Sequence, residues 1–318
     1  MGKKTRIYFV TDLHGSDRCF RKFLNAAKFY NANVLVLGGD ITGKLIIPII
    51  SQGDGTYKSK YAGSNLTLKS KEEADSLAKS IRDYGFYPYF AEPKEIDEMN
   101  ANKEAVDKIF TRLMVESIQG WMRLAEERLK GSGTSCFISP GNDDIFEIDK
   151  TLDSSSYVIN PEGRIVHVSD EYEMITLGYT NHTPWNSPRE VDEDVLEQKI
   201  EAMASKLKNP SNAIWNIHAP PIDTPIDQAP KLDSTLKPVV SGGRMVMISA
   251  GSIATRKSIE KYQPFIGIHG HIHESKGFVK IGRTTCFNPG SEYGEGILRG
   301  LICDLDNGKL KSYMLTSG

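Results

Sequence analysis

Thiols are scarce in this chain of 318 residues. Its four cysteines, Cys19, Cys136, Cys286 and Cys303, are far apart and form no Cys-x-x-Cys pair, which argues against a zinc ribbon or disulfide framework and fits a reducing compartment. An excess of charge of one sign is also missing. Lys+Arg of 39 against Asp+Glu of 41 leaves a net charge of -2, too little positive charge for a sequence-independent grip on nucleic acid. No apolar run approaches the ~20 residues that a membrane span needs, and Met1 to Arg6 leads directly into the strand-like Ile7-Tyr8-Phe9-Val10. The expectation is a cytoplasmic protein with no membrane partner and no strong nucleic-acid signal. Internal repeats and low-complexity tracts are absent too. With 39% hydrophobic and 25% charged residues, what remains is ordinary globular composition, in a chain long enough to bury roughly 75% of its unfolded surface.

The apolar pattern predicts an α/β fold. Ile7 to Thr11 reads as a strand, followed by a helix capped by Ser16 or Asp17, with Phe20, Phe23, Leu24 and Ala27 on one face. Val34 to Leu37, bounded by Gly38-Gly39, reads as a second strand buried on both faces and parallel to the first. Residues 44–131 look like an insertion in an otherwise single domain over 1–318. A hairpin signal, Gln52-Gly53-Asp54-Gly55, is followed by helical stretches over Lys71–Tyr84 and about Glu95–Leu129, the second with an apolar stripe through Ile118 and Trp121 that reads as core. The insertion has 14 basic and 14 acidic residues, so it is no basic arm. Its tyrosines 57, 61, 84, 87 and 89 read as packing or a homo-oligomer contact before a stacking platform. Further on, Ser187, Pro188 and Glu190 read as a capping box opening a helix to Leu207. Asp306-Asn307-Gly308 reads as the turn of a terminal hairpin.

Five short motifs each fall where an apolar strand ends: Asp12-Leu13-His14, Gly39-Asp40, Gly141-Asn142-Asp143, His218, and Gly270-His271-Ile272-His273. In open α/β sheets ligands collect beyond the carboxyl ends of the strands, which would gather all five at one rim. A single Asp-x-His is weak, but Gly-His-x-His is expected by chance only about 0.01 times at this composition. Carboxylates and imidazoles with one amide and no thiolate suit manganese, iron or zinc in a catalytic site. Seven such donors exceed one tetrahedral ion and suffice for two, with a carboxylate such as Asp40 bridging.

This ordered set resembles that of the calcineurin-like metallophosphoesterase superfamily, to which His218-Ala-Pro-Pro and Asn288-Pro-Gly-Ser291 are also similar. The likeness leaves the insertion uncovered. It implies a four-layer α/β/β/α sandwich, here with a hairpin-plus-helix insertion, and two divalent ions, manganese first, iron or zinc as alternatives. One ion would be held by Asp12, His14, Asp40 and His273, the other by Asp40, Asn142, His218 and His271. The implied activity is hydrolysis of a small-molecule phosphoester by in-line attack of a metal-bridging hydroxide. A non-catalytic scaffold of the same fold and a nuclease are the alternatives.

In one place the chain departs from that pattern. Gly-Asn-His is Gly141-Asn142-Asp143 here, and the missing histidine is the one that commonly protonates the leaving oxygen. An ordinary Asp is ionised at neutral pH, so either the substrate leaves easily, which favours phosphodiesters, or another acid such as His182 serves. A loop imidazole merely in solvent or packed on Trp185 is the plainer reading of His182. His167 and His269 read as strand residues, not ligands.

Overall fold

The computed structural model describes residues 4–318. Its layers follow from side chains alternating across two sheets. In the strand Thr5–Val10, Tyr8 and Val10 face one way and Ile7 and Phe9 the other, all buried. Val34–Gly38 splits in the same way, Leu35 and Leu37 against Val34 and Val36, and so does Ser135–Ser139, Cys136 and Ile138 against Phe137. These three strands are parallel, and Arg299–Asp306 and Lys309–Ser317 complete the sheet on the antiparallel side. One face carries the helices Asp17–Phe29 and Lys103–Leu129, where Phe20 stacks on Trp121 with ring centroids 4.1 Å apart.

The other face meets a second sheet, ordered Gly277–Ile281, Thr284–Asn288, Ile266–Ile268, Ile214–Ile217, Glu173–Leu177, Ile165–His167. Phe9, Val36 and Phe137 pack there among Met174, Ile214, Ile268 and Phe287. Ile175, Trp215 and Ile217 point away, onto the helices Glu193–Ala204 and Ile253–Tyr262. The result is the α/β/β/α sandwich. No helix among the described residues is long and apolar enough to cross a membrane.

Residues 44–131 depart from their sequence reading in two ways. The hairpin Ile46–Ser51 and Tyr57–Tyr61 forms, but Ser64–Leu68 and Tyr87–Ala91 extend it to four strands over a small core of Ile49, Ala74, Ala78 and Ile81 beneath the helix Lys71–Asp83. The helix expected over about Glu95–Leu129 is two, Pro93–Ala101 and Lys103–Leu129. Asn102, extended at φ -139°, ends the first and caps the second by accepting the Ala105 N–H, the local competition with the backbone for which Asn is suited. Tyr57, Tyr61 and Tyr87 set their edges on Phe90, Phe86 and Phe110, the packing role expected.

The capping box at Ser187 also fails as a helix start: the helix begins at Glu193, with Asp192 at its N-cap position. Glu190 does accept the Ser187 N–H, but it also takes the Thr183 N–H and hydroxyl, which ties residues 183–190 into a loop instead.

One ion pair pins the first strand to its antiparallel neighbour: Arg6 grips Asp304 at 2.6 and 3.0 Å, with Ser312 also donating. The hydrogen bond from Arg6, aided by Ser312 and Lys4 and opposed by burial, holds the Asp304 carboxyl well below the usual range. Its stabilisation is therefore present above the unfolded value near 4 and is lost as pH falls through the depressed folded one. Asp304→Asn is expected to cost about 2 kcal/mol, several degrees of Tm, at pH 7. Thermal melts against pH check it, since the gap from wild type should close progressively below about pH 4.

Candidate metal centre

The five motifs converge as strand polarity requires. All three parallel strands of the first sheet, and Ile214–Ile217 and Ile266–Ile268 of the second, end at one rim, and the motif residues follow immediately. The loops turn sharply there. Asp12, His14, Asp40 and His271 all have left-handed backbone, φ 56°, 41°, 51° and 68°, a conformation unusual away from glycine and held only by surrounding contacts. Those contacts are explicit: Asp12 N–H donates to Gly39 C=O at 3.0 Å, His14 N–H to Asp40 C=O at 2.9 Å, and His271 N–H to the Asp12 carboxylate at 3.1 Å. The loops are so close that a side chain at Gly141 would run into Asp40, and one at Gly270 into Thr11 and Asp12.

Three residues that sequence reasoning passed over hold or shade this arrangement. Asp144, buried, accepts from the N–H groups of Ile41, Thr42 and Gly141 and from the Thr42 hydroxyl, joining the Asp40 loop to the Asn142 loop. Arg189, also buried, donates to the carbonyls of Asp144 and Ile145 and pairs with Asp149 at 2.6 Å, while its own N–H reaches Asn142 C=O. The Tyr293 ring lies 4.7 Å from that of His14. None of the three carries a local signal, and in sequence Arg189 looks like any other arginine.

The donors form two groups around Asp40. Asp12, His14 and His273 lie together, with His273 Nε2 3.4 Å from Asp12 and 3.1 Å from His14 Nε2. Asp40, His218 and His271 form the other, and Asn142 Oδ1 is 2.8 Å from His271 Nδ1. Asp40 faces both groups, one oxygen 3.5 Å from His218 Nε2 and the other 3.7 Å from His14 Nε2.

The chemistry of this set fits divalent cations. His218 Nδ1 is 3.0 Å from the Gly38 carbonyl, while its buried Nε2, 3.7 Å from Asp12 and 3.5 Å from Asp40, has no hydrogen-bond partner. With the proton on Nδ1, that lone pair points at two carboxylates, an arrangement that needs positive charge between them. Without metal, a proton supplies it: burial opposes, but Asp40 and Asp12 outweigh it and push His218 up to about 10. Asp40, buried near Asp143 and Asp12, is pushed up to about 6. Burial drives His271 down to about 3, leaving it a neutral donor.

Asp143, which stands where the usual histidine is missing, and His182, the alternative acid, lie differently. Asp143 sits at the edge of the cluster, 2.6 Å from Lys44 Nζ and accepting from the Ser187 hydroxyl at 2.6 Å. Burial raises its pKa, but Lys44 and His14 outweigh burial and bring it to about 2, so it carries no proton at neutral pH. His182 is exposed, bonded to Asp192 at 3.0 Å and near Glu190, and makes no hydrogen bond or ion pair with the cluster. His269 is buried against the Ile217 carbonyl, and His167 lies exposed on an edge strand.

If Asp40 is the shared ligand, Asp40→Asn is expected to lower manganese content from about two ions per chain to below one, whereas His182→Ala leaves it unchanged. Elemental analysis after loading and desalting reads this directly. Equal content in the two variants would contradict the shared position.

No family model matches the chain. An uncharacterised protein of Methanocaldococcus jannaschii, MJ1162, is 32% identical over 152 residues, 47% of this chain, and the match spans 61% of that protein's length. Among solved structures, one superposes with a TM-score of 0.61 at 17% identity, and TT1561 of Thermus thermophilus with 0.55 at 13%, each over 99% of both chains. Four layers, five motifs at one rim in the order Asp12-x-His14 to Gly270-His271-x-His273, and these superpositions agree: the chain shares the α/β/β/α fold of these structures, the fold that its resemblance to the calcineurin-like metallophosphoesterases implies.

Proposed function

We propose that the protein is a dinuclear metal-dependent phosphoesterase acting on small phosphodiesters. The observation that carries this reading is a pair of carboxylate–imidazole groups with the buried Asp40 facing a histidine of each, His14 at 3.7 Å and His218 at 3.5 Å. Asp12, His14 and His273 would hold one ion, Asn142, His218 and His271 the other, and Asp40 both. Manganese suits the oxygen and nitrogen donors, with iron or zinc as the alternatives. Bound there, two divalent ions would supply the acidity that turns water into a nucleophile near neutral pH and the charge that offsets a phosphoryl group in displacement.

The chain's own residues do the rest. Asn142 and His271 fix each other's orientation through their 2.8 Å contact, and Gly38 C=O sets the His218 tautomer that leaves Nε2 free as a ligand. Asp143, ionised, gives the leaving oxygen no proton. A diester with an acidic leaving group needs none, and this supports diesters over alkyl monoesters. A binding scaffold has no use for a complete ligand set, five of the seven buried and four on left-handed backbone, and a nuclease would favour a basic insertion where this one is neutral.

Manganese-loaded protein assayed on aryl phosphodiesters of graded leaving-group pKa tests the reading. General-acid help is commonly worth about 10²–10⁴ in rate, so without it kcat should fall steeply as that pKa rises. A shallow slope would place a proton donor in the site. Failure to hydrolyse any mono- or diester while holding two ions would overturn the reading.

A further inference from the structure

Lys44 is the first residue of the insertion, yet its side chain turns back to the metal centre. Its ammonium lies 2.6 Å from Asp143. The backbone that presents it is locked. Gly43 N–H donates to the Tyr87 hydroxyl at 2.8 Å, and Gly43 is pressed against the Gly85 carbonyl so closely that no side chain fits. Gly85, at φ 87°, is pressed in turn against the carbonyl of His14, a motif residue. Three segments, 14–15, 43–44 and 85–87, thus stack backbone on backbone. The side chain of Lys44 remains 47% exposed, whereas those of His14, Asp40 and His218 are 3% or less, so the ammonium stands at the mouth of the centre and not within it.

An exposed Lys–Asp pair contributes little by itself. Beside a centre built to gather divalent cations, an ammonium is repelled, and Asp143 only partly compensates. The cost is reversed when an anion lies between the ammonium and the cations, where every contact is attractive. We propose that Lys44 binds a non-bridging phosphoryl oxygen of the substrate, with Asp143, steadied by Ser187, as its positioning residue. This rests on the phosphoesterase reading and deepens it: the insertion supplies part of the phosphate site, and the position where the usual histidine is missing holds a lysine by its anchor. The ammonium acts as a fixed charge, and the proposal needs no proton transfer from it.

The test titrates inorganic phosphate by calorimetry into the manganese-loaded full chain, as wild type, Lys44→Met and Lys44→Arg. Manganese content, Tm, and the KM and kcat for a nitrophenyl diester are measured alongside. Lys44→Met is expected to bind phosphate about tenfold more weakly, with KM raised more than kcat is lowered and with manganese content and Tm unchanged. Lys44→Arg, which keeps the charge, should recover most of the affinity. Phosphate affinity and KM within twofold of wild type in Lys44→Met would overturn the proposal and leave the phosphoesterase reading standing. Loss of manganese or of the fold from Lys44→Met would overturn it too, because the side chain would then be shaping the centre and not meeting the ligand. A wild type that holds manganese but neither binds phosphate nor hydrolyses an ester would overturn both.

Discussion

Buried carboxylates facing buried imidazoles, with positive charge needed between them, are the constraint on which the rest of this structure depends. Asp12, Asp40 and His218 lie at the seam where the two sheets end, shielded from water that would otherwise solvate their charge. Removing an unpaired carboxylate from water is costly, and two such groups together are more so. The fold meets part of that cost with backbone donors: His271 N–H on Asp12 and Asp143 N–H on Asp40. The remainder falls to a proton on His218 or to cations, and the donor set is matched to cations.

Holding that geometry requires local strain that only a rigid frame can carry. Four motif residues take left-handed backbone, and their loops touch one another where Gly141 and Gly270 leave no room for a side chain. Asp144 and Arg189 tie the loops together, each satisfying several buried backbone groups with one side chain. Behind them, three alternating parallel strands buried on both faces make the rim stiff.

Much of this was legible in the chain. Asp12, Asp40 and Gly270-His271-x-His273 stand out because each follows a short apolar run and a strand end must point somewhere. A cap at Ser16 or Asp17 and the parallel pairing of the first two strands were readable, and the structure has Ser16 as the cap and the pairing present. What was not legible depends on contacts between distant segments. In Gly141-Asn142-Asp143-Asp144 nothing local says that the second acid is a buried clasp while the first reaches toward Lys44. Lys44 itself looks like a solvated residue at an insertion boundary, and only the stacking of Gly43 on Gly85 turns it inward. Ser187 and Glu190 have the pattern of a helix start, but tertiary partners at Thr183 and Asp143 draw them into a loop. Asn102 splits the helix expected over about Glu95–Leu129, and only its own cap on Ala105, not the apolar pattern, marks the break.

The account's central claim is that the cluster is a two-ion centre bridged by Asp40. Anomalous diffraction from a manganese-soaked crystal tests it most directly. The account predicts two peaks about 3.5–4 Å apart, one against Asp12, His14 and His273, the other against Asn142, His218 and His271, with Asp40 touching both. No peak at the cluster, or a single peak that Asp40 does not touch, would contradict it.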